Sequence, residues 1–159
     1  MNLQEELKAL KERIAEMETQ VDEEQAFPKY KDFYWGVNAK GKVFCDTWEG
    51  FKFEKDMLSI GNVYQTENEA VLAVEKLKVE AELRKFSRPF KEDDYNYFIQ
   101  INSSHNNIVV YSDEYFQTQG TIYFESTAIA NEAIDAIGEN RIKKYIFGVE
   151  GTNHETSRH

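Results

Sequence analysis

The sequence predicts an α+β protein, in which an N-terminal coiled-coil-like helix is followed by a two-layer α/β sandwich built from two ββ(β)α units. Apolar residues near the N-terminus recur at alternating intervals of four and three, which is a helical period. The stretch GNVYQTENEAVLAVEKL, which begins at Gly61, is followed about sixty residues later by GTIYFESTAIANEAIDAI, which begins at Gly120. Both stretches predict a turn, a short strand, a capped start and a helix. One such unit is too small to bury much surface, but two side by side can share one sheet with both helices on one face.

The first helix is predicted from a narrow stripe of heptad a and d positions. Asn2 is its expected N-cap, and Glu5, three residues later, completes a capping box. Such a helix either folds back onto its own domain or pairs with a copy of itself, because alone it is marginal in water. The a/d-only stripe favours self-association without selecting a stoichiometry, and its residues are Leu3, Leu7, Leu10, Ile14, Met17 and Val21.

The first unit is predicted to begin with a β-hairpin. Acidic residues and Pro28 end the preceding helix and form a short linker. Two β-type runs follow from Phe33, on either side of NAKG, in which Asn38 and Gly41 suit a tight turn. The segment 49–60 combines strand-like alternation with a helix-like end, so its structure stays open at this point.

A long helix of about five turns is predicted after the first turn signal. Thr66 and Glu69 have the spacing of a capping box at its start. Pro89 prevents further helix, and the charged residues after it predict a loop.

The second unit repeats this order. Residues 95–116 are β-rich on both sides of SSHNN, which predicts a second hairpin. Ser126 or Thr127 is the expected cap of a shorter helix that stops at Gly138. RIKKYIFG then predicts a last helical turn or strand. The predicted organisation is an oligomerisation helix (1–24), an α+β domain (25–150) with 33–90 and 95–148 as candidates for an internal duplication, and a flexible tail (151–159).

Composition indicates a folded cytosolic protein. The chain has 159 residues, of which 41% are hydrophobic and 14% aromatic, which is ample for a packed core. No apolar run approaches the ~20 residues that span a bilayer. The net charge of −10 predicts repulsion from nucleic acid and anionic membranes, so neither is expected as a direct partner. The chain has one cysteine, Cys45, so no intrachain disulfide can form. Cys45 is expected to be a buried, inert thiol.

Enzyme signatures are absent from the sequence, which contains no phosphate-binding glycine loop, nucleophile elbow or HExxH motif. Of the three histidines, His105 falls in a predicted turn, and His154 and His159 fall in the polar tail as a loose HETSRH pattern. We therefore predict no catalytic residues, no metal site and no cofactor.

The candidate binding residues are carboxylates, aromatics and a few cations. Adjacent carboxylates can present phosphate-like charge to a partner. The aromatic residues are too numerous to lie on one face of the strands, which leaves three interpretations: a core with a dimer seam, a protein-binding surface, or a stacking pocket for a nucleotide held by cations. The predicted residues are Asp93, Asp94, Asp113, Glu114, Tyr34, Trp35, Trp48, Tyr115, Arg141 and Lys144.

Three stretches, YWGVNAKGKVFCDTW, IGNVYQTENEAVLAVEKLKVEAELRKF and IGENRIKKYIFGVE, resemble a family of small proteins encoded in phages and prophages of Gram-positive bacteria. The resemblance covers about residues 35–150 and carries over no catalytic residues. It implies a phage accessory protein that acts in the host cytoplasm.

Small acidic phage proteins of this class often neutralise host defences, and three functions follow as expectations. The first is a non-enzymatic protein that binds and blocks a defence protein such as a CRISPR nuclease. The second is a sponge that sequesters a nucleotide immune signal in aromatic and basic pockets at an oligomer interface. The third is a phage structural or assembly factor.

Overall fold

A computed structural model describes residues 2–150 and confirms the α+β class. The chain divides into two compact units, Met1–Ala70 and Val71–His159. The predicted tail, including His154 and His159, lies outside the described residues. The elements in chain order are α1 (Leu3–Gln25), β1 (Phe33–Val37), β2 (Val43–Thr47), α2 (Lys52–Ser59), α3 (Glu67–Arg84), β3 (Asn96–Asn102), β4 (Asn107–Asp113), α4 (Thr127–Ile137) and α5 (Glu139–Tyr145).

Helix α1 begins with the capping box that the sequence predicts. The Asn2 side chain accepts hydrogen bonds from the amides of Gln4 and Glu5, each at 3.0 Å. The Glu5 carboxylate accepts in return from the Asn2 amide at 3.1 Å. No residue of α1 is buried, and its a and d side chains are exposed.

The first hairpin pairs β1 with β2 in antiparallel register, from Phe33 opposite Thr47 to Val37 opposite Val43. At its turn, the Asn38 side chain accepts hydrogen bonds from the amides of Lys40 and Lys42. The hairpin is therefore confirmed. Cys45 is exposed, so the prediction of a buried thiol is wrong: strand side chains point to one face or the other of a sheet, and the face that carries Cys45 is open to solvent.

The segment that sequence patterns left open forms the short helix α2, and a buried carboxylate fixes its start. Glu54 is 1% exposed. It accepts hydrogen bonds from the amides of Phe51 at 2.9 Å and Glu49 at 3.1 Å. Burial, followed by the nearby Glu54 carboxylate, raises the pKa of Tyr34 to about 12. Tyr34 therefore stays neutral beside this acid.

We expect Glu54→Ala to lower the free energy of unfolding of the first unit by about 2 kcal/mol, because two backbone amides lose their acceptor. Urea denaturation measures the effect. Asp56→Ala is the matched control, since Asp56 is an exposed acid on the same helix that pairs with exposed Lys52. Equal losses in the two variants would contradict a capping role for Glu54.

The second unit has two layers around one apolar core. The core-facing residues of the second hairpin, among them Tyr97, Ile99 and Val110, pack against residues from α3, α4 and α5. The fully buried or nearly buried members of this core are Val79, Leu83, Phe124, Ala130, Ala133, Ile137 and Ile142. The capping box at Thr66 and Glu69 is present at the start of α3, and Ser126 caps α4.

Corresponding backbone features recur in the two ββ(β)α segments. Gly61 and Gly120 have φ angles of 75° and 76°. A short segment after each glycine then makes one antiparallel bridge to the first strand of its own hairpin, at Trp35–Tyr64 and Tyr97–Phe124. The hairpins nevertheless form two separate two-stranded sheets rather than one shared sheet. The third β segment is limited to isolated bridges and does not extend either sheet into a full third strand.

Within residues 2–150, no helix combines the length and apolar character needed to cross a membrane.

Candidate protein-binding site

The pairing of β3 with β4 brings two loops together at one end of the second hairpin. Asn96, the first residue of β3, lies opposite Asp113, the last residue of β4. The segments 90–95 and 114–117 therefore leave the hairpin side by side, and both carry acidic and aromatic residues.

Asn96 holds these two loops together. Its side chain is fully buried, and its oxygen accepts hydrogen bonds at 2.8 Å from the Lys91 amide and the Arg88 guanidinium. Its amide nitrogen donates to the carbonyls of Lys91, Asp94 and Asp113 at 2.8, 2.9 and 3.2 Å. One side chain thus ties the loop before β3 to the end of β4.

Arg88 also holds the loop before β3, through Tyr95 and Asp94. Its guanidinium donates to the carbonyl of Tyr95 at 2.7 Å and forms ion pairs with Asp94 and Glu125. Because the side chain is only 11% exposed and its donors face these partners, Arg88 acts as a structural cation here.

Asp113 shapes the second loop. One carboxylate oxygen accepts from the amides of Tyr115 and Phe116, each at 2.9 Å. These two hydrogen bonds hold the pKa of the Asp113 carboxyl below its ordinary value. The turn that they stabilise leaves the rings of Tyr115 and Phe116 exposed by 76% and 74%.

Between the two loops lies an open pocket of about 440 Å³, which we call the acidic-aromatic pocket. Packed aromatic rings support it: the Phe90 ring lies 5.2 Å from that of buried Tyr123, which lies 5.9 Å from Phe98. The residues that line the pocket are Phe90, Glu92, Asp93, Glu114, Tyr115 and Gln117.

The chemistry of this pocket suits a cation. Three carboxylates, from Glu92, Asp93 and Glu114, lie beside the exposed ring of Tyr115. A hydrogen bond to the Glu114 carboxylate raises the pKa of the Tyr95 phenol. Carboxylates and aromatic faces together attract lysine and arginine side chains through ion pairs and cation–π contacts.

Five of the ten residues predicted for binding lie at this end of the hairpin. Asp93, Glu114 and Tyr115 line the pocket, whereas Asp94 and Asp113 mainly hold its loops. The carboxylate of Asp94 also accepts from the Tyr95 amide, at 2.8 Å.

The predicted aromatic residues of the first unit have mainly structural positions. Tyr34 is fully buried, and its ring packs edge-on against that of Trp48, which is 7% exposed. Trp35 is half-buried and exchanges backbone hydrogen bonds with Tyr64. Tyr34 and Trp48 therefore pack in the interior of this unit and do not form an open surface.

The predicted cations Arg141 and Lys144 lie away from the acidic-aromatic pocket, on α5. This helix begins near the turn end of the second hairpin, where Glu139 accepts from the Ile108 amide. Arg141 forms a two-bond ion pair with Glu82, at 2.7 and 2.9 Å. Lys144 lies over the ring of Tyr145, so these two cations do not converge on one pocket.

Sequence reasoning missed Asn96, Phe90 and Glu92. The available signal was Asn96 itself, because asparagine is uncommon in strands and here begins an aromatic β run. Its five partners are distributed between residues 88–94 and 113, and no sequence spacing displays that arrangement.

The fold and the pocket together define an α+β protein with an acidic, aromatic surface pocket. Among residues 2–150, no group of histidine, cysteine and carboxylate side chains has an arrangement that could hold a metal ion. No protein-family model, no curated protein and no solved structure matches the chain.

Proposed function

We propose that this protein is a non-enzymatic binding protein whose acidic-aromatic pocket docks on a positively charged surface of a partner protein. The observation that carries the proposal is the convergence of Glu92, Asp93 and Glu114 around the exposed ring of Tyr115. Tyrosine dominates many protein-binding hot spots, and clustered carboxylates steer a basic partner towards it.

We further propose that the partner is a host antiviral defence protein, such as a CRISPR nuclease, and that the chain is a phage-encoded factor in the host cytoplasm. The resemblance to small phage and prophage proteins motivates this assignment. A nuclease binds nucleic acid through basic channels, and a surface that combines carboxylates with aromatic rings is complementary to such a channel.

Self-association through α1 is part of the proposal. Its stripe of a and d side chains is exposed along the whole helix, from Leu3 to Val21. An oligomer would cover this stripe and would present several copies of the pocket to one target.

The pocket is tested with Glu92→Gln, Asp93→Asn and Glu114→Gln combined in one chain. We expect the dissociation constant for a fluorescein-labelled polyarginine peptide, measured by fluorescence anisotropy, to rise by about tenfold or more, since three charges leave one site. Asparagine suits position 93 because the backbone there has a φ angle of 57°.

The matched control removes three exposed charges elsewhere, with Glu16→Gln, Glu132→Gln and Asp135→Asn. This variant has the same net charge but retains the pocket, so we expect it to bind almost as the wild type does. Equal weakening in the two variants would mean that net charge alone attracts the peptide, and the pocket would lose its assigned role.

The choice of target is tested by affinity capture from a defence-bearing host lysate with the wild type and the pocket variant side by side. A stoichiometric defence nuclease retained by the wild type and lost by the variant supports the proposal. Co-purification with virion proteins would instead favour an assembly role.

A nucleotide sponge would be indicated by a thermal shift that grows as RT ln(1 + [L]/Kd) for one member of a nucleotide panel. The pairing of Arg141 with Glu82 does not favour this alternative, because the guanidinium already has a carboxylate partner.

A further inference from the structure

Helix α1 carries an apolar stripe that no other described part of the first unit covers. The exposed fraction of its a and d side chains runs from 47% for Met17 to 84% for Leu3. The helix is continuous from Leu3 to Gln25, so the heptad register is unbroken. Leu7, Ile14 and Val21 occupy a positions, and Leu3, Leu10 and Met17 occupy d positions.

Charged residues flank this stripe, and the orientation of a helix pair decides which of these charges meet. Glu6 and Arg13 occupy g positions, whereas Lys11 and Glu18 occupy e positions. Among residues 2–150, none of these four side chains forms an ion pair; the ion pair within α1 joins Lys8 to Glu12, both outside the a, d, e and g positions.

In a parallel pair of helices, each g residue faces the e residue of the following heptad in the other chain. Glu6 then faces the partner's Lys11, and Arg13 faces the partner's Glu18. Each contact occurs twice by symmetry, so all four charged contacts are attractive.

In an antiparallel pair, e residues face e residues and g residues face g residues. With the apolar layers fully overlapped, Leu3 lies opposite the partner's Val21. Lys11 then meets the partner's Lys11, and Arg13 meets the partner's Arg13, near the centre of the helix. The charge pattern therefore opposes this orientation.

We propose that α1 pairs with a second copy of this chain as a parallel, in-register, two-stranded coiled coil. The proposal rests on the self-association proposed above and adds its orientation, register and stoichiometry. Two of the three a residues, Ile14 and Val21, are β-branched, and two of the three d residues are leucine, as in many two-stranded coiled coils. Leu7 and Met17 depart from that pattern, so the choice of two strands is taken from the reciprocal g–e contacts of a pair.

A parallel pair has a consequence for the binding site. Both copies of Gln25, where α1 ends, lie at the same end of the coiled coil. The remainder of each chain starts from that end, so a target with two basic patches can engage two acidic-aromatic pockets with the advantage of avidity.

Cysteine cross-linking tests the orientation in the full-length chain. Leu3→Cys and Val21→Cys are made separately in a Cys45→Ser background, since Cys45 is exposed and would confuse the readout. One variant carries a size tag, and the chains are equilibrated alone and mixed in a glutathione redox buffer. We expect Leu3→Cys alone to form a covalent dimer and the mixture to give few Leu3–Val21 heterodimers.

Every outcome of this experiment bears on orientation or association. A mixture dominated by heterodimers would overturn the parallel arrangement. A wild type that is a monomer by light scattering would remove the proposed self-association itself. A dimer that forms neither the Leu3→Cys cross-link nor the mixed cross-link between positions 3 and 21 would show that α1 is not paired in register.

A charge test gives an independent measure. In the parallel pair, Glu6→Lys with Glu18→Lys turns four attractive contacts into repulsive ones. In the antiparallel pair, positions 6 and 18 face the uncharged partner residues Gln20 and Gln4, so the same substitutions create no repulsion between charges there. We expect the dimer dissociation constant at low salt to rise by about tenfold or more. The control, Glu16→Lys with Glu23→Lys, makes the same charge change on the outer face of α1 and should leave the dimer dissociation constant nearly unchanged. If both double variants raised the dissociation constant equally, the parallel contacts would be refuted.

Discussion

Asn96→Ala is expected to destabilise the second unit by about 3 kcal/mol and to abolish binding at the acidic-aromatic pocket, because it deletes a buried side chain with five hydrogen-bond partners. The amide and carbonyl of Lys91 and the carbonyls of Asp94 and Asp113 lose their partner together. The loop before β3 then separates from the end of β4. Denaturant unfolding and polyarginine binding measure the two effects.

The matched control for this variant is Asn102→Ala, at the other end of the same strand. The Asn102 side chain accepts one local hydrogen bond, from the Ser104 amide at 3.0 Å. We expect a loss below about 1 kcal/mol and unchanged peptide binding. If Asn96→Ala were as stable as Asn102→Ala, the hydrogen-bond network around Asn96 would not organise the site.

Local rules predicted the starts of α1, α3 and α4 well. The capping boxes at Asn2 and Thr66 depend on residues three positions apart, so the sequence alone contains the whole interaction. The strands of both hairpins were equally visible, because turn residues such as Asn38 and Gly41 separate two β-type runs. These features need no information about distant parts of the chain.

The errors arose where burial depends on long-range packing. Cys45 was expected to be buried, but it lies on a face of the first hairpin that is open to solvent. Glu54 was not singled out, because an acidic residue becomes a buried cap only once the loop before α2 has folded over it. The candidate site contains residues that the sequence predicted and one that it did not. Asp93 and Glu114 were predicted as charged binding residues, whereas Asn96, which holds their loops together, was missed.

Helix α1 carries the largest expected effect, because the residues of its apolar stripe are exposed. Its a and d residues were predicted from spacing, and the structure leaves them exposed. We expect Leu10→Asp with Ile14→Asp to convert the proposed dimer into a monomer. Four apolar side chains leave the seam, at about 1.5 kcal/mol each, which corresponds to a loss of roughly four orders of magnitude in affinity. Light scattering across a concentration series measures the change.

Ala9→Asp with Ala15→Asp is the matched control, since it adds the same charges to the outer face of α1 and weakens the intrinsic helix at least as much. This control should remain dimeric, because the a and d seam is intact. Since no residue of α1 is buried in its own chain, the Leu10 and Ile14 variant should retain the near-ultraviolet circular dichroism of the folded units. Loss of that signal, or a wild type that is already monomeric, would mean that the exposed stripe has another role.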